Sequence, residues 1–438
     1  MVRRALAARS PDEPGRAHGR TRQVRALNDR RTAGPQESCG RNEERTLSNH
    51  PVGIHDLSVA TGSHVIGLDE LAARHGVDPG KYHVGLGQDE MSVLAPDEDI
   101  VTLAAAAAQP IVERHGTVGL RTVLFATESG IDQSKAAGVF VHRLLDLPVT
   151  ARVVELKQAC YSGTAALQMA AALVARDPSE KVLVITSDVA RYDVGSSAEA
   201  TQGAAAVAML VTADPALLEI EPVTGVHTED VMDFWRPNHR STALVDGKAS
   251  VEAYLRAADG AWTDYVARGG AAFDDVAAFA YHQPFTRMAT KAHRHLAKAA
   301  RTRLDRDEVD AQIATSTTYN RRVGNSYTAS LYLALAAILD DGSLADGDRI
   351  AMVSYGSGAV CEVFSAVLRP GYRDATRAAE TRALLDARTP VTDERYLELH
   401  RDHDSSAPDR TNPVETSGPF RFVGVEGHKR IYAPASEA

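Results

Sequence analysis

Glu155-Leu156-Lys157-Gln158-Ala159-Cys160-Tyr161-Ser162-Gly163-Thr164-Ala165-Ala166-Leu167 decides how this chain is read. An apolar run of strand type enters a turn of small residues, and a cysteine stands where a helix has to begin. The first amide N–H groups of a helix lack intrahelical partners and its dipole favours negative charge, so the position is expected to lower the thiol pKa toward thiolate. Cys160 is therefore read as a nucleophile, not as the small buried hydrophobe that a cysteine more often is.

Outward from that segment, strand-like runs alternate from Val52 onward with helical patterns rich in small residues, which implies an α/β layered fold. Two stretches repeat. Gly163-Thr164-Ala165-Ala166-Leu167, a polar turn and Lys181-Val182-Leu183-Val184-Ile185-Thr186-Ser187 match Tyr327-Thr328-Ala329-Ser330-Leu331, a polar turn and Arg349-Ile350-Ala351-Met352-Val353-Ser354-Tyr355. Upstream of each lies an apolar strand ending on an ionisable side chain, Glu128 in one and His282 in the other, with helices expected over 134–145 and 286–300. A pseudo-twofold duplication brings the two helix starts together, so Glu128, Cys160, His282 and Asn325 are expected to converge. The halves are placed at 51–220, carrying the Glu and Cys, and 221–438, carrying the His, the Asn and a Gly-Ser-Gly turn.

The whole chain bounds this reading. Its 438 residues, 44% hydrophobic, suffice for a doubled domain with a sizeable core. A formal charge of −10 argues against a general nucleic-acid surface. Cys39, Cys160 and Cys361 are scattered, without CxxC spacing, so neither a disulfide framework nor a metal site is expected and a reducing cytoplasm is the default. No apolar run approaches the roughly 18 to 20 residues that cross a bilayer; the longest, from Ala329 to Leu339, reads as a buried helix. Residues 1–50 are Arg-rich and aperiodic, expected to be disordered. They lack an apolar signal core, and Asp12, Glu13, Asp29, Glu43 and Glu44 argue against a transit peptide. A start assigned too early, or a dispensable tail, is the preferred account.

A thiolate, a carboxylate and an imidazole in one pocket suit acyl transfer with carbon-carbon bond formation. The thiolate holds an acyl group as a thioester, whose α-hydrogens the carbonyl acidifies. A carboxylate in a water-poor pocket has raised basicity, which suits Glu128 to removing one of them. His282 can polarise a second carbonyl and protonate the alkoxide that develops. Other features carry two readings each. Tyr355-Gly356-Ser357-Gly358 is an oxyanion-hole turn or simply a tight turn, and Asn325 an N-cap or a ligand contact. Arg287 and Lys291, four apart on one helix face, hold carrier phosphates or are solvated. Asp188, Arg191 and Tyr192 line the site or terminate a strand.

Together the motifs resemble 3-hydroxy-3-methylglutaryl-CoA synthases, condensing enzymes of the thiolase-like superfamily. The segments are Ala126-Thr127-Glu128-Ser129-Gly130-Ile131-Asp132, Lys157-Gln158-Ala159-Cys160-Tyr161, Thr201-Gln202-Gly203, Glu229-Asp230-Val231-Met232-Asp233-Phe234-Trp235-Arg236-Pro237, His282-Gln283-Pro284-Phe285, Tyr319-Asn320-Arg321-Arg322-Val323-Gly324-Asn325 and Ser354-Tyr355-Gly356-Ser357-Gly358. The resemblance implies a thiolase-like αβαβα fold of two pseudo-twofold halves and a Glu128, Cys160, His282 catalytic set. It implies acetyl-CoA acylating Cys160, Glu128 as base and acid for the methyl group, and attack on acetoacetyl-CoA oriented by His282. Hydrolysis then releases HMG-CoA. Asn325, Ser357, Tyr192 and Thr201 would contact substrate, and Arg287 with Lys291 would hold CoA phosphates. No cofactor or metal is called for, and a homodimer in the mevalonate route is expected.

Two departures stand: Ala205 where relatives often have Gly, and the phrase around Cys160, which is also similar to the polyketide β-branching branch that uses acyl carrier protein. The 229–237 segment and the tail after Gly371 look more like the free-CoA enzyme. A type III ketoacyl synthase would not call for Glu128 and usually has Asn where Pro284-Phe285 stands. A non-catalytic acyl-CoA-binding member has no need of all three residues.

Overall fold

Nine strands form one mixed sheet in a computed structural model that describes residues 50–402 and 409–437. The Arg-rich extension read over 1–50 lies, except for His50, outside the described residues. The strands are β1 (Val52–Thr61), β2 (Leu120–Ala126), β3 (Arg152–Leu156), β4 (Lys181–Ala190), β5 (Gly203–Ala213), β6 (Leu218–Thr228), β7 (Ala278–Tyr281), β8 (Arg349–Gly356) and β9 (Val360–Leu368). Their order is β7-β8-β9-β6-β1-β5-β4-β2-β3.

That order is a duplication. β2 runs parallel to β4, β4 antiparallel to β5 and β5 antiparallel to β1. β7 runs parallel to β8, β8 antiparallel to β9 and β9 antiparallel to β6. Only β3 has no counterpart. β1 and β6 join the halves through two residue pairs, Gly53 with Glu219 and Ile54 with Leu218. β6 straddles the boundary read at residue 220.

Alternation along the strands sets the layers, because successive side chains point to opposite faces. On β4, Val182 and Val184 enter the central core while Leu183 and Ile185 enter an outer one. On β8, Ile350 and Met352 face the centre, and Ala351 and Val353 face the other outer core. Strands buried on both faces read as continuous apolar runs, as these do. The central layer holds α2 (Ser162–Arg176) and α5 (Ser330–Asp341), the repeated helices. Every residue of α5 from Ser330 to Leu339 is buried. α1 (Ile100–His115) covers the outer face of the first half, and α3 (Gly247–Ala267) with α4 (Arg287–Ala299) covers that of the second.

One helix is shorter than its sequence pattern. The run expected over 134–145 is helical only over Gly138–Leu144. The Asp132 carboxylate accepts from the backbone N–H groups of Ser134 and Lys135 at 2.8 and 2.7 Å, and Glu155 accepts from Ala137 N–H at 2.7 Å. These side chains hold the first turns in a loop. Among the described residues no helix is long and apolar enough to cross a membrane.

Candidate active site

Glu128 follows the end of β2, and Cys160 lies between β3 and α2. The register of β2 on β3, Ala126 opposite Leu156, brings the two segments side by side. The Cys160 Sγ donates to Glu128 Oε1 at 3.0 Å. α2 starts at Ser162, so Cys160 stands two residues ahead of it, after Ala159 at φ 44°. A non-glycine residue in the left-handed region is strained, a feature associated with functional turns.

The expected depression of the thiol pKa is overturned. Burial, and then the Glu128 carboxylate, push the Cys160 thiol well above its ordinary value. A helix N-terminus contributes a fraction of a charge, which desolvation beside a full carboxylate outweighs. The same proximity acts on Glu128: burial first, then the Asp188 carboxylate, push it up to about 8. The resting site is thus a protonated thiol beside a carboxyl group poised near neutrality.

Asp188, read as lining the site or ending a strand, lies fully buried within β4. Its Oδ1 accepts from Thr127 Oγ1 at 2.8 Å and from the N–H groups of Glu128 and Ser129 at 2.9 Å each. Its Oδ2 accepts from Thr328 N–H at 3.1 Å and from the Thr328 hydroxyl. One carboxylate therefore ties the Glu128 loop to the start of α5 in the other half. Arg236 donates to the Glu128 carbonyl.

His282 follows the end of β7 as Glu128 follows β2, and its N–H donates to Val353 O at 3.0 Å. Tyr254 donates its hydroxyl to the His282 carbonyl at 3.0 Å and stacks on the imidazole, with ring centroids 6.4 Å apart. Burial pushes His282 down to about 3, so the imidazole is neutral. Its Nδ1 is buried without a hydrogen-bond partner. Two residues beyond Val353, Tyr355 packs on Tyr254 at 4.6 Å, and Gly356 lies against the turn that carries Cys160.

The other residues named from the sequence divide. Tyr192 packs with Tyr327, Phe234 and Cys160 in a small apolar cluster beside the thiol. Asn325 is buried; its Oδ1 accepts from Tyr327 N–H at 2.9 Å, an Asx turn one residue ahead of the Ser326 N-cap, so the N-cap reading fails. The Thr201 hydroxyl turns onto Ala198 O at 2.7 Å, while its carbonyl accepts from Asn325 N–H at 2.9 Å. Ser357 O accepts from the Gln158 amide at 3.3 Å, and Gly358 N–H is directed to Asp233 at 3.0 Å. Arg287 pairs with Asp310 at 3.2 Å, and Lys291 lies 5.0 Å over the Phe285 ring. Neither lines the cavity of about 800 Å³ that opens on the Glu128 side.

The aromatic wall of Phe234 and Tyr327, and the props Tyr254 and Asp233, were not picked as site residues from the sequence. Phe234 and Asp233 sit in a quoted motif, but the contacts come from distant elements. Among the described residues no group of three or more His, Cys, Asp or Glu side chains could hold a metal ion.

A cysteine thiol on a half-buried carboxyl group, at the junction of two duplicated α/β halves, defines a thiolase-like condensing acyltransferase. Comparison with known proteins identifies the family. The model for the N-terminal part of hydroxymethylglutaryl-coenzyme A synthase matches residues 48–216, and that for its C-terminal part matches 218–298 and 293–409. The chain is 42% identical over 347 residues to hydroxymethylglutaryl-CoA synthase of Enterococcus faecalis, covering 79% of this chain and 90% of that protein. It is 34% identical over 365 residues to the polyketide biosynthesis 3-hydroxy-3-methylglutaryl-ACP synthase of Bacillus subtilis, covering 78% and 86%. A crystal structure of HMG-CoA synthase complexed with CoA superposes with a TM-score of 0.83 at 35% identity, covering 88% of this chain and all of that one. The chain belongs to the hydroxymethylglutaryl-CoA synthase family.

Proposed function

We propose that the protein condenses acetyl-CoA with acetoacetyl-CoA and water to give 3-hydroxy-3-methylglutaryl-CoA and CoA, as a cytoplasmic homodimer in the mevalonate route. The observation that carries the reading is the Cys160 thiol 3.0 Å from a Glu128 carboxyl group raised to about 8. Cys160 attacks the acetyl carbonyl as its proton passes to Glu128 and on to the departing CoA thiolate, leaving acetyl-Cys160 and an ionised Glu128. That carboxylate removes a methyl proton, and the enolate attacks the 3-keto carbon of acetoacetyl-CoA.

The neutral His282 donates an N–H to the keto oxygen, whose negative charge grows as the bond forms. Glu128, now protonated, can return its proton to the alkoxide. Ser357 N–H supports the thioester oxyanion, and Tyr192 with Asn325 shapes the acyl chamber. Thr201 acts through its carbonyl on Asn325. Arg287 and Lys291, in the N-terminal turns of α4, hold the CoA phosphates. Water then hydrolyses the thioester, and no resident cofactor or metal takes part.

Higher identity to the free-CoA relative than to the carrier-protein one supports CoA as carrier. The β-branching function of the second relative is the alternative. Acetoacetyl-CoA loss on adding acetyl-CoA, with product mass and a Cys160→Ala control, tests the proposal. HMG-CoA from wild type alone supports it. Acetylation of Cys160 without turnover, restored by an acetoacetyl carrier protein, favours the alternative.

A further inference from the structure

Resting on Cys160 as the acetyl acceptor, the inference concerns what holds it in place. Cys160 follows a residue in the left-handed region, and its thiol belongs on Glu128. Such a turn persists only where its surroundings over-determine it. Besides the Gln158–Ser357 hydrogen bond, two closer attachments come from the opposite half. Gly356, the last residue of β8, lies so close that a Cβ there would stand 2.6 Å from Tyr161 N and 2.7 Å from Gln158 O. The second is a carboxylate, Glu362 on β9, only 3% exposed.

Glu362 Oε2 accepts from the Tyr161 hydroxyl at 2.7 Å, and Oε1 accepts from the Gln168 amide at 2.8 Å. Tyr161 directly follows the nucleophile, and Gln168 lies two turns along α2. The carboxylate thus grips both the turn and the helix that the turn opens. Beside it, Thr164 on α2 donates to Ser354 Oγ at 2.8 Å and shares a 2.9 Å hydrogen bond with Tyr332 on α5. Burial raises the Glu362 pKa, the cost of placing a carboxylate there. Nothing in the acyl-transfer steps uses this group.

We propose that Glu362 is a positioning residue for the nucleophile: acting through Tyr161, it clamps the 158–162 turn onto the end of β8 and so keeps the Cys160 thiol on Glu128. It touches neither substrate nor reacting atoms. A clamp of this kind sets the rate at which Cys160 is acylated and leaves acetyl-CoA binding alone.

The test is pre-steady-state acetylation of Cys160, followed by intact mass, in wild type, Tyr161→Phe, Glu362→Gln and Glu362→Ala. Tyr161→Phe should acetylate about tenfold more slowly, the loss expected for one buried charge-assisted hydrogen bond. The KM for acetyl-CoA should stay within about twofold, while the melting temperature falls by the few degrees that losing one buried hydrogen bond to a charged group costs. Glu362→Gln, which retains an acceptor, should recover most of the rate lost in Glu362→Ala. Tyr161→Phe combined with Glu362→Ala should be no slower than Glu362→Ala, because one interaction is removed twice. Wild-type acetylation rates in Tyr161→Phe, a loss confined to KM, or no recovery in Glu362→Gln over Glu362→Ala overturns the clamp. Absence of acetylation in wild type fails the proposed function instead.

Discussion

Glu128 raised to about 8 makes the enolisation step a direct reporter of the site. The general base is the ionised form, so the rate rises with pH as the proton leaves. A group titrating at 8 is about 9% ionised at pH 7 and about 90% at pH 9, so proton removal should quicken about tenfold between them. Acetylation deletes the thiol hydrogen bond, one of the influences that lower the Glu128 value. The midpoint in acetyl-Cys160 should therefore lie at or above about 8. Deuterium washout from the methyl group of acetyl-Cys160, with no acceptor present, isolates this step from acetoacetyl-CoA chemistry. Glu128→Gln should exchange about 10²- to 10⁴-fold more slowly and lose the pH dependence. A flat profile between pH 7 and 9, or half-maximal exchange below about pH 6, would refute the argument that burial beside Asp188 tunes the base.

The same displacement costs stability. Folded Glu128 keeps a proton that the unfolded chain, near 4.5, gives up, so the penalty grows as pH rises from 4.5 to about 8 and reaches on the order of 3 kcal/mol at pH 7. Urea unfolding should show Glu128→Gln more stable than wild type at pH 8 and nearly equal at pH 5; lower stability at both would contradict the sign. Because the Cys160 thiol is raised, its alkylation by iodoacetamide should be slow at pH 7 and accelerate through pH 9, and a plateau below pH 7 would restore the thiolate reading. A Cβ on Gly203 would stand 2.3 Å from Val323 O, across the contact between the halves. Gly203→Ala should thus lose about 1 to 3 kcal/mol or more, read as a lower melting temperature, and an unchanged melt would show that this contact yields.

Much of the architecture was legible because its signals are local and periodic. Short, β-branched apolar runs such as Lys181 to Ser187 and Arg349 to Tyr355 read as strands covered on both faces, and their repetition after similar helices announces the duplication. The order of strands realises it pair by pair. Glu128, Cys160 and His282 were found by the same logic, as ionisable or nucleophilic side chains at the ends of apolar strands.

What the sequence determined by itself is therefore the set of elements, their pairing into halves and the candidates Glu128 and Cys160 that the fold brings into contact. What only the tertiary structure decided is their chemical state. The chain places Cys160 just ahead of a helix, which argues for a thiolate, yet Glu128 arrives from 32 positions earlier and, with burial, reverses the sign. Asp188, Tyr254 and Glu362 likewise act across the fold, joining residues whose separation along the chain carries no trace of their contact. Charge and desolvation depend on distance in space, and sequence spacing encodes distance only within an element.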